Sequence, residues 1–330
     1  MNRRLSKLTI HFGERDRVEG GLLADALFED FARHGVHTSV LLRGVEGYGL
    51  RHHLRTDRLL TLSEDLPAIA IAIDEPDRID GVLDELPGPT ATGLVTLEKV
   101  GAGGDGVDRK LTVYLHRRQR LNDGPAYVGV CELLRRRGVG GATALLGVDG
   151  TVGGGRRRAR FLSVNSDVPM MVVAVGSAES IAGAADELER ALEAPLLTTE
   201  PVRVLKRDGD GVGELSAGRD EVAWQRLTLY SSESATVGGH AVHHELIRRL
   251  RREGARGATA VRGIWGYHGD HVPHGDRLLQ LRRRAPIVTT LVDAPDRIAA
   301  WLEIADELTP ERGLITCEGV AVLGPQAVAS

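Results

Sequence analysis

The residues from Gly254 to Gly269, GARGATAVRGIWGYHG, decide how this chain is organised. An alternating apolar run ends at Arg262 and gives way to glycines that are spaced for a tight loop. The same frame occurs from Gly35 to Gly49, as GVHTSVLLRGVEGYG, and a degenerate version runs from Gly138 to Gly150. A frame that occurs three times in one chain predicts an internal threefold repeat.

Four sets of identical residues keep nearly the same spacing along the chain. The sets are Thr9, Thr112 and Thr228; Gly35, Gly138 and Gly254; Pro67, Pro169 and Pro286; and Glu98, Glu200 and Glu318. A period slightly above one hundred residues is too long for a solenoid unit and suits a small complete domain. We therefore predict three domains, at 1–103, 108–205 and 222–325, joined by glycine-rich and acidic tethers.

Each repeat has the hydrophobic pattern of strand, helix, strand, strand, helix, strand. This order predicts the ferredoxin-like βαββαβ arrangement, an α+β fold with a four-stranded antiparallel sheet and both helices on one face. The first helix of each repeat should stop at Gly35, Gly138 or Gly254. In the first repeat the strands are predicted at Leu8–Phe12, Thr38–Arg43, Leu66–Asp74 and Gly93–Val100, and the helices carry Leu23, Leu27, Phe28 and Phe31, then Ile79, Val82, Leu83 and Leu86.

The third strand, Leu66–Asp74, is apolar enough to be covered on both faces. The other two repeats are the available cover, so the three should close on one another as a single-chain pseudo-trimer that is a monomer in solution. The net charge is −4 over 330 residues. That balance excludes a global attraction to nucleic acid, and no apolar run approaches the roughly 18 residues of a membrane span, so we expect a cytoplasmic protein without direct membrane insertion.

The residues at this point suggest a family. The G-x-x-G-A-T-x-x-R-G-x-x-G-Y run, the entry to the third strand at Ser63-Glu-Asp-Leu-Pro67 and the close at Thr96-Leu-Glu98 resemble the PII-like family known as domain of unknown function 190. The resemblance covers all three repeats and is strongest in the first and third. It implies ferredoxin-like subunits that assemble as trimers, bind adenine nucleotides (ATP, ADP, AMP or cyclic AMP) in the clefts between subunits, and contact a target protein, such as a membrane transporter, through the long loop after the second strand.

The resemblance and the loop chemistry together predict the nucleotide-binding residues. Glycines let backbone amides approach an anion, and an arginine at the loop base can pair with a phosphate in forked geometry. The predicted residues are Arg43, Gly44, Gly47, Tyr48, Gly49, Ser63, Asp65, Arg262, Gly263, Gly266, Tyr267 and Gly269. The alternative is that Arg-Gly merely ends a strand.

The two intact loops, Gly44–Arg58 and Gly263–Arg277, are long for a compact domain and are expected to be exposed and to bind the partner rather than to stabilise the fold. The second repeat has Leu146 in place of the arginine, and Arg156 to Arg158 are the cations that could replace it. The three clefts should therefore differ, and we expect one or two nucleotides per chain rather than three.

Histidines concentrate in the third repeat and leave a second function open. His240 and His244 are one helical turn apart, and His268, His271 and His274 lie in the loop. These candidates would suit a divalent-metal protein similar to the CutA cation-tolerance family, although solvated histidines without a metal explain them as well. A scaffold without a small ligand is the third alternative. The sequence contains no recognisable catalytic constellation, so an enzyme is not expected.

Overall fold

The computed structural model describes residues 4–18, 20–49, 54–56, 65–86, 93–101, 108–158, 167–215, 224–268, 274–275 and 285–323. The same order of elements occurs three times. Repeat 1 contains β1 Leu5–Gly13, β2 Arg17–Val18, β3 Gly21–Leu22, α1 Leu23–Arg33, β4 Thr38–Arg43, β5 Glu46–Tyr48, β6 Arg55–Thr56, β7 Pro67–Asp74, α2 Pro76–Glu85 and β8 Leu94–Val100. Repeat 2 contains β9 Asp108–His116, β10 Arg120–Leu121, β11 Gly124–Pro125, α3 Ala126–Arg136, β12 Gly141–Leu146, β13 Asp149–Val152, β14 Gly155–Arg156, β15 Pro169–Ser177, α4 Ala178–Ala191 and β16 Leu196–Arg207. After β17 Asp210–Gly211, repeat 3 contains β18 Trp224–Ser232, β19 Thr236–Val237, β20 His240–Ala241, α5 Val242–Arg252, β21 Ala258–Arg262, β22 Trp265–His268, β23 His274–Gly275, β24 Pro286–Asp293, α6 Pro295–Glu307 and β25 Leu314–Leu323.

The four long strands of each repeat form an antiparallel sheet in the order second, third, first, fourth. In repeat 1, β4 pairs with β7, β7 with β1, and β1 with β8, so that Ile10 lies opposite Ala70 on one side and Val95 on the other. The same pairings occur in repeats 2 and 3. The six helices and mainly antiparallel strands of the described residues confirm the predicted α+β class.

The first helix of each repeat ends at the predicted glycine. Gly35, Gly138 and Gly254 have φ angles of 66°, 73° and 82°. These angles lie in the left-handed region, where a side chain is disfavoured and glycine is not. The next residue then turns back, as where Val36 N–H donates to Phe31 O at 2.8 Å.

Each sheet has two apolar faces with different neighbours. On one face of the first sheet, Leu8, Ile10, Ala70 and Ala72 pack with α1 and α2. The alternate residues face away from the helices and pack with residues of the other repeats, so that β7 is buried along its whole length. This shared cluster is Val40, Leu42, Ile69, Ile71, Ile73, Val100, Tyr114, Leu145, Met171, Val173 and Val261. The expectation that the other repeats cover the third strand is confirmed.

Short strands from the loops connect the repeats. β5 of repeat 1 pairs with β21 of repeat 3, β22 of repeat 3 pairs with β12 of repeat 2, and β13 of repeat 2 pairs with β4 of repeat 1. The last strands also meet, because β25 pairs with both β8 and β16, and Gly101 N–H donates to Thr199 O at 3.2 Å. Each repeat therefore contacts both of the others through backbone hydrogen bonds.

These pairings correct the expectation that the long loops make few structural contacts. Residues 46–48 and 265–268, at the base of the two intact loops, are strands of the neighbouring repeat's sheet. Glu46 and Tyr48 are 1% and 3% exposed. The sequence shows the length of a loop but not the unpaired strand edge of the neighbouring repeat, which is what recruits this segment.

Candidate functional site

The bases of the loops lie at the junctions between repeats. At the first, Gly44 N–H donates to Pro67 O within its own repeat at 2.7 Å, and Val45 N–H donates to Ala260 O of repeat 3 at 2.8 Å. Repeat 3 repeats both hydrogen bonds. Gly263 N–H donates within its own repeat, as Gly44 N–H does, and Ile264 N–H donates to repeat 2, as Val45 N–H does to repeat 3. The predicted loop-base residues are therefore brought to boundaries between repeats.

Several of the predicted nucleotide-binding residues have structural contacts at these boundaries. A Cβ atom on Gly47 would lie 2.5 Å from Ala258 O, and one on Gly266 would lie 2.4 Å from Ala142 O. Only glycine permits this close approach of two backbones. The buried Tyr267 hydroxyl donates to Val139 O at 2.9 Å. The glycine frame thus has a structural explanation, and its part in nucleotide binding stays a prediction.

The loop-base arginines are each paired with an acid from the turn after the first strand. Arg43 Nη2 is 2.9 Å from Glu14 Oε2, with both side chains nearly half exposed. Arg262 Nη2 is 2.5 Å from Glu233 Oε1 in a more buried setting. In repeat 2 the arginine is Leu146, and the position equivalent to Glu14 and Glu233 is Arg117. A phosphate at Arg43 or Arg262 would have to compete with a carboxylate.

A further cation at the first junction was not predicted. Arg55 Nε is 2.9 Å from Asp65 Oδ2, and its Nη2 is 3.3 Å from Asp16 Oδ1. Its guanidinium lies over Gly13, where a Cβ atom would come within 2.2 Å of Nη1. Asp65, a predicted site residue, therefore lies beside a cation. Three other candidates, Ser63, Gly269 and His271, lie outside the described residues, as does the side chain of His274. The only sequence signal for this contact is Gly13, because a glycine in a strand often marks the close approach of another group.

The three junctions differ at one equivalent position. Strand register aligns Glu46, Asp149 and Trp265, each beside the second strand of the next repeat. Glu46 Oε1 is 2.7 Å from His244 Nδ1 on α5. Asp149 is held by Arg156, which also contacts Asp25 on α1.

The arginines of the second loop thus serve this junction, since Arg158 also reaches Asp25, at 2.7 Å. Trp265 makes an apolar contact with the core of repeat 2. One junction has an acid and a histidine, one an ion-pair network and one an apolar side chain. The contacts at the three junctions are therefore unequal, and unequal nucleotide binding by the three clefts stays a prediction.

Six buried charges, two from each repeat, form a closed ring at the centre of the molecule. We call Lys7, Glu98, Lys110, Glu200, Arg226 and Glu318 the ionic ring. Within each repeat the cation of the first strand lies directly opposite the glutamate of the last strand. Between repeats, Lys7 contacts Glu200, Lys110 contacts Glu318, and Arg226 contacts Glu98. Anions and cations alternate, so the ring is neutral and joins all three repeats.

The environment of the ring shifts the pKa values of Glu200, Lys110 and the neighbouring His11. Glu200 is buried, but Lys110 and Lys7 lower the pKa of its carboxyl to about 2. Burial acts against the charge of Lys110, yet Glu200 and Glu318 raise the pKa of its ammonium. Desolvation, and then Arg226, lower the pKa of His11 to about 3. Glu200 and Lys110 are therefore charged at neutral pH, and His11 is neutral.

The ring glutamates are also the cluster of metal-ligating groups in the described part of the chain. Oxygen atoms of Glu98, Glu200 and Glu318 lie within 4.8 Å of one another. Since three cations already neutralise them, an added metal ion would leave the buried site with excess positive charge. His240 and His244 have ring centroids 6.4 Å apart, and His268 Nε2 is 2.5 Å from Asp208 Oδ1.

All three repeats of the chain are similar to known proteins. The family model DUF190 (Uncharacterized ACR, COG1993) matches residues 5–102, 108–204 and 224–322. A UPF0166 protein of Aquifex aeolicus is 32% identical over 97 residues, which are 29% of this chain and 90% of that relative. UPF0166 protein MJ1524 of Methanocaldococcus jannaschii is 32% identical over 79 residues, 24% of this chain and 72% of the relative. These relatives are thus little longer than one repeat. None of the helices in the described ranges is both long and apolar enough to cross a bilayer.

Proposed function

The chain belongs to the DUF190 family as three tandem copies, and on that premise we propose that it is a PII-like regulatory protein in which one chain does the work of a trimer. Its three ferredoxin-like repeats close as a pseudo-trimer, bind an adenine nucleotide in clefts between repeats, and signal to a target protein through the loops Gly44–Arg58 and Gly263–Arg277. It acts in the cytoplasm, and a membrane transporter is the class of target that the PII-like resemblance favours.

The observation that carries this proposal is the pairing of each repeat's loop strand with the sheet of the next repeat. Every loop begins where its own repeat meets the next one, as Val45 N–H does by donating to Ala260 O. A ligand at a loop base would therefore touch two repeats at once and change the direction in which the loop leaves the body. Relatives of about one repeat in length support the same reasoning, because a single repeat leaves one face of its sheet to be covered.

The paired arginines define what a nucleotide would do at the site. Glu14 compensates Arg43 when no ligand is bound, and the exposure of both groups keeps that pair weak. A phosphate group is doubly charged and accepts two hydrogen bonds from one guanidinium. It therefore competes well with one carboxylate. Exchange of Glu14 for phosphate at Arg43 would release the Glu14 side chain, which gives the protein a ligand-dependent change at the loop base.

Calorimetry with ATP, ADP, AMP and cyclic AMP tests this function. Arg43→Ala and Arg262→Ala should each weaken the affected site by about 1.5 to 3 kcal/mol, the value of a charged hydrogen bond. Glu14→Gln should strengthen binding, because it removes the competing carboxylate. Arg33→Ala, which removes an exposed arginine of α1 paired with Asp30 and Glu85, is the matched control. Unchanged affinity in both loop-base variants would remove the arginines from the site, and absence of binding by any nucleotide would refute the function.

A further inference from the structure

Repeat 3 contains a cavity of about 250 Å³ lined in part by His240, His244, Arg248 and Arg249, next to the contact of His244 with Glu46 of repeat 1. It lies between the β19–β20 turn and the first turns of α5. We propose that this cavity binds a divalent first-row transition metal ion, with Zn²⁺ the expected occupant, through the imidazoles of His240 and His244. This site goes beyond the proposed nucleotide function and involves a different set of residues.

The orientation of His244 is the first argument. Its Nδ1 is 2.7 Å from Oε1 of the almost fully buried Glu46, which repeat 1 inserts beside α5. A carboxylate that accepts from Nδ1–H fixes the ring plane and selects the tautomer of the neutral imidazole whose Nε2 carries the lone pair. Metal-binding histidines nearly always have such a carboxylate or carbonyl partner behind them. Glu46 is therefore a positioning residue, and Nε2 is the ligand atom.

The position of His240 is the second argument. Its ring centroid is 6.4 Å from that of His244, and its side chain is exposed at the start of α5. Two imidazoles that share a tetrahedral metal ion have centroids roughly 5 Å apart, given metal–nitrogen bonds of about 2 Å. A side-chain rotation that moves the His240 ring about 1 Å towards His244 would complete the pair. Solvent would supply the remaining ligands.

The charges around the cavity permit a cation. Arg248 and Arg249 both donate to Glu245, at 2.8 Å and 2.9 Å from their Nε atoms, and Arg249 also contacts Glu307. Their positive charges are thus offset within the cluster, while Glu46 adds a negative charge behind His244. Both oxygens of Glu245 accept from these arginines, so this carboxylate is not assigned as a metal ligand.

The other repeats provide an internal comparison. The positions of His240 and His244 are Gly21 and Asp25 in repeat 1, and Gly124 and Val128 in repeat 2. Strand pairing supports this alignment, since His240, Gly21 and Gly124 occupy the same place in their two-residue strands. One site per chain is therefore expected, with both ligands from repeat 3 and the positioning residue Glu46 from repeat 1.

The test is calorimetric titration of the chelator-treated full chain with ZnCl₂, with Co²⁺ absorption as a second readout of imidazole coordination. We expect one ion per chain, loss of binding in His244→Ala, and at least tenfold weaker binding in His240→Ala. Glu46→Gln should weaken binding by about 10- to 100-fold while His244 is retained. A variant with His268, His271 and His274 all replaced by alanine should bind as the unmodified chain does.

Two results would overturn the site. One is absence of Zn²⁺ binding by the unmodified chain. The other is retention of binding when His240 and His244 are both replaced by alanine, which would place the ion elsewhere. Because His240 is exposed, its alanine variant is expected to fold, and its melting temperature without metal provides the check.

Discussion

Replacing Glu200 by glutamine removes one negative charge from the ionic ring and leaves a buried excess of positive charge. Glu200 contacts both Lys7 and Lys110, and its side chain is only 6% exposed. Removal of one partner from a buried ion pair costs about 3 to 5 kcal/mol, because the remaining charge keeps its desolvation cost. The exposed Glu85, which pairs with Arg33, is the matched control, and Glu85→Gln should cost less than about 1 kcal/mol.

The assay uses urea unfolding followed by tryptophan fluorescence. All three tryptophans, Trp224, Trp265 and Trp301, belong to repeat 3, whereas Glu200 belongs to repeat 2. If the ring couples the repeats, the fluorescence transition of repeat 3 should move to lower urea in Glu200→Gln. Restoring neutrality with Lys110→Met in the same chain should recover part of the loss. The reasoning is refuted if the urea midpoint of Glu200→Gln falls by no more than that of Glu85→Gln.

Three further predictions concern pH, close packing and the loops. Below pH 6.5 the unfolded chain binds a proton at His11 that the folded chain excludes until about pH 3, so stability should fall by about 2 kcal/mol between pH 6.5 and 4.5. His11→Tyr, which copies the residue of repeats 2 and 3, should flatten this slope in unfolding curves measured at both pH values. Gly47→Ala places a Cβ atom 2.5 Å from Ala258 O and should cost about 1 to 3 kcal/mol by thermal unfolding, whereas Gly49→Ala, with open space around it, should be neutral; equal effects would contradict the close packing. Shortening Gly44–Arg58 to a tight turn should lower the melting temperature, because it deletes β5, and an unchanged melting temperature would show that the paired strand contributes nothing.

The repeats, the helix ends and the buried third strand could be predicted because their signals are local. Gly35 ends α1 through its own backbone conformation, and the apolar run before Asp74 requires cover whatever supplies it. The interaction between repeats was not accessible in the same way. Glu98, Glu200 and Glu318 were recognised as equivalent positions, but their cross-repeat partners are far away in sequence and are brought close only by the assembled sheets.

The candidate site illustrates an ambiguity in glycine patterns. A glycine that admits a phosphate and a glycine that admits a neighbouring backbone leave the same mark in the sequence. Gly47 and Gly266 approach carbonyl oxygens of the next repeat, so their spacing first of all describes how the repeats are joined. Arg55 and the acids that hold the loop-base arginines were missed because none of them has a characteristic spacing.

Native mass spectrometry of the full chain with adenine nucleotide tests the central claim most directly, since one spectrum reports both the number of chains and the number of ligands. We expect a mass near 35.5 kDa, that of one chain, carrying one or two nucleotides. A mass of three chains would mean that the repeats do not close on one another, and a single chain with three equivalent nucleotides or none would contradict the proposed unequal clefts.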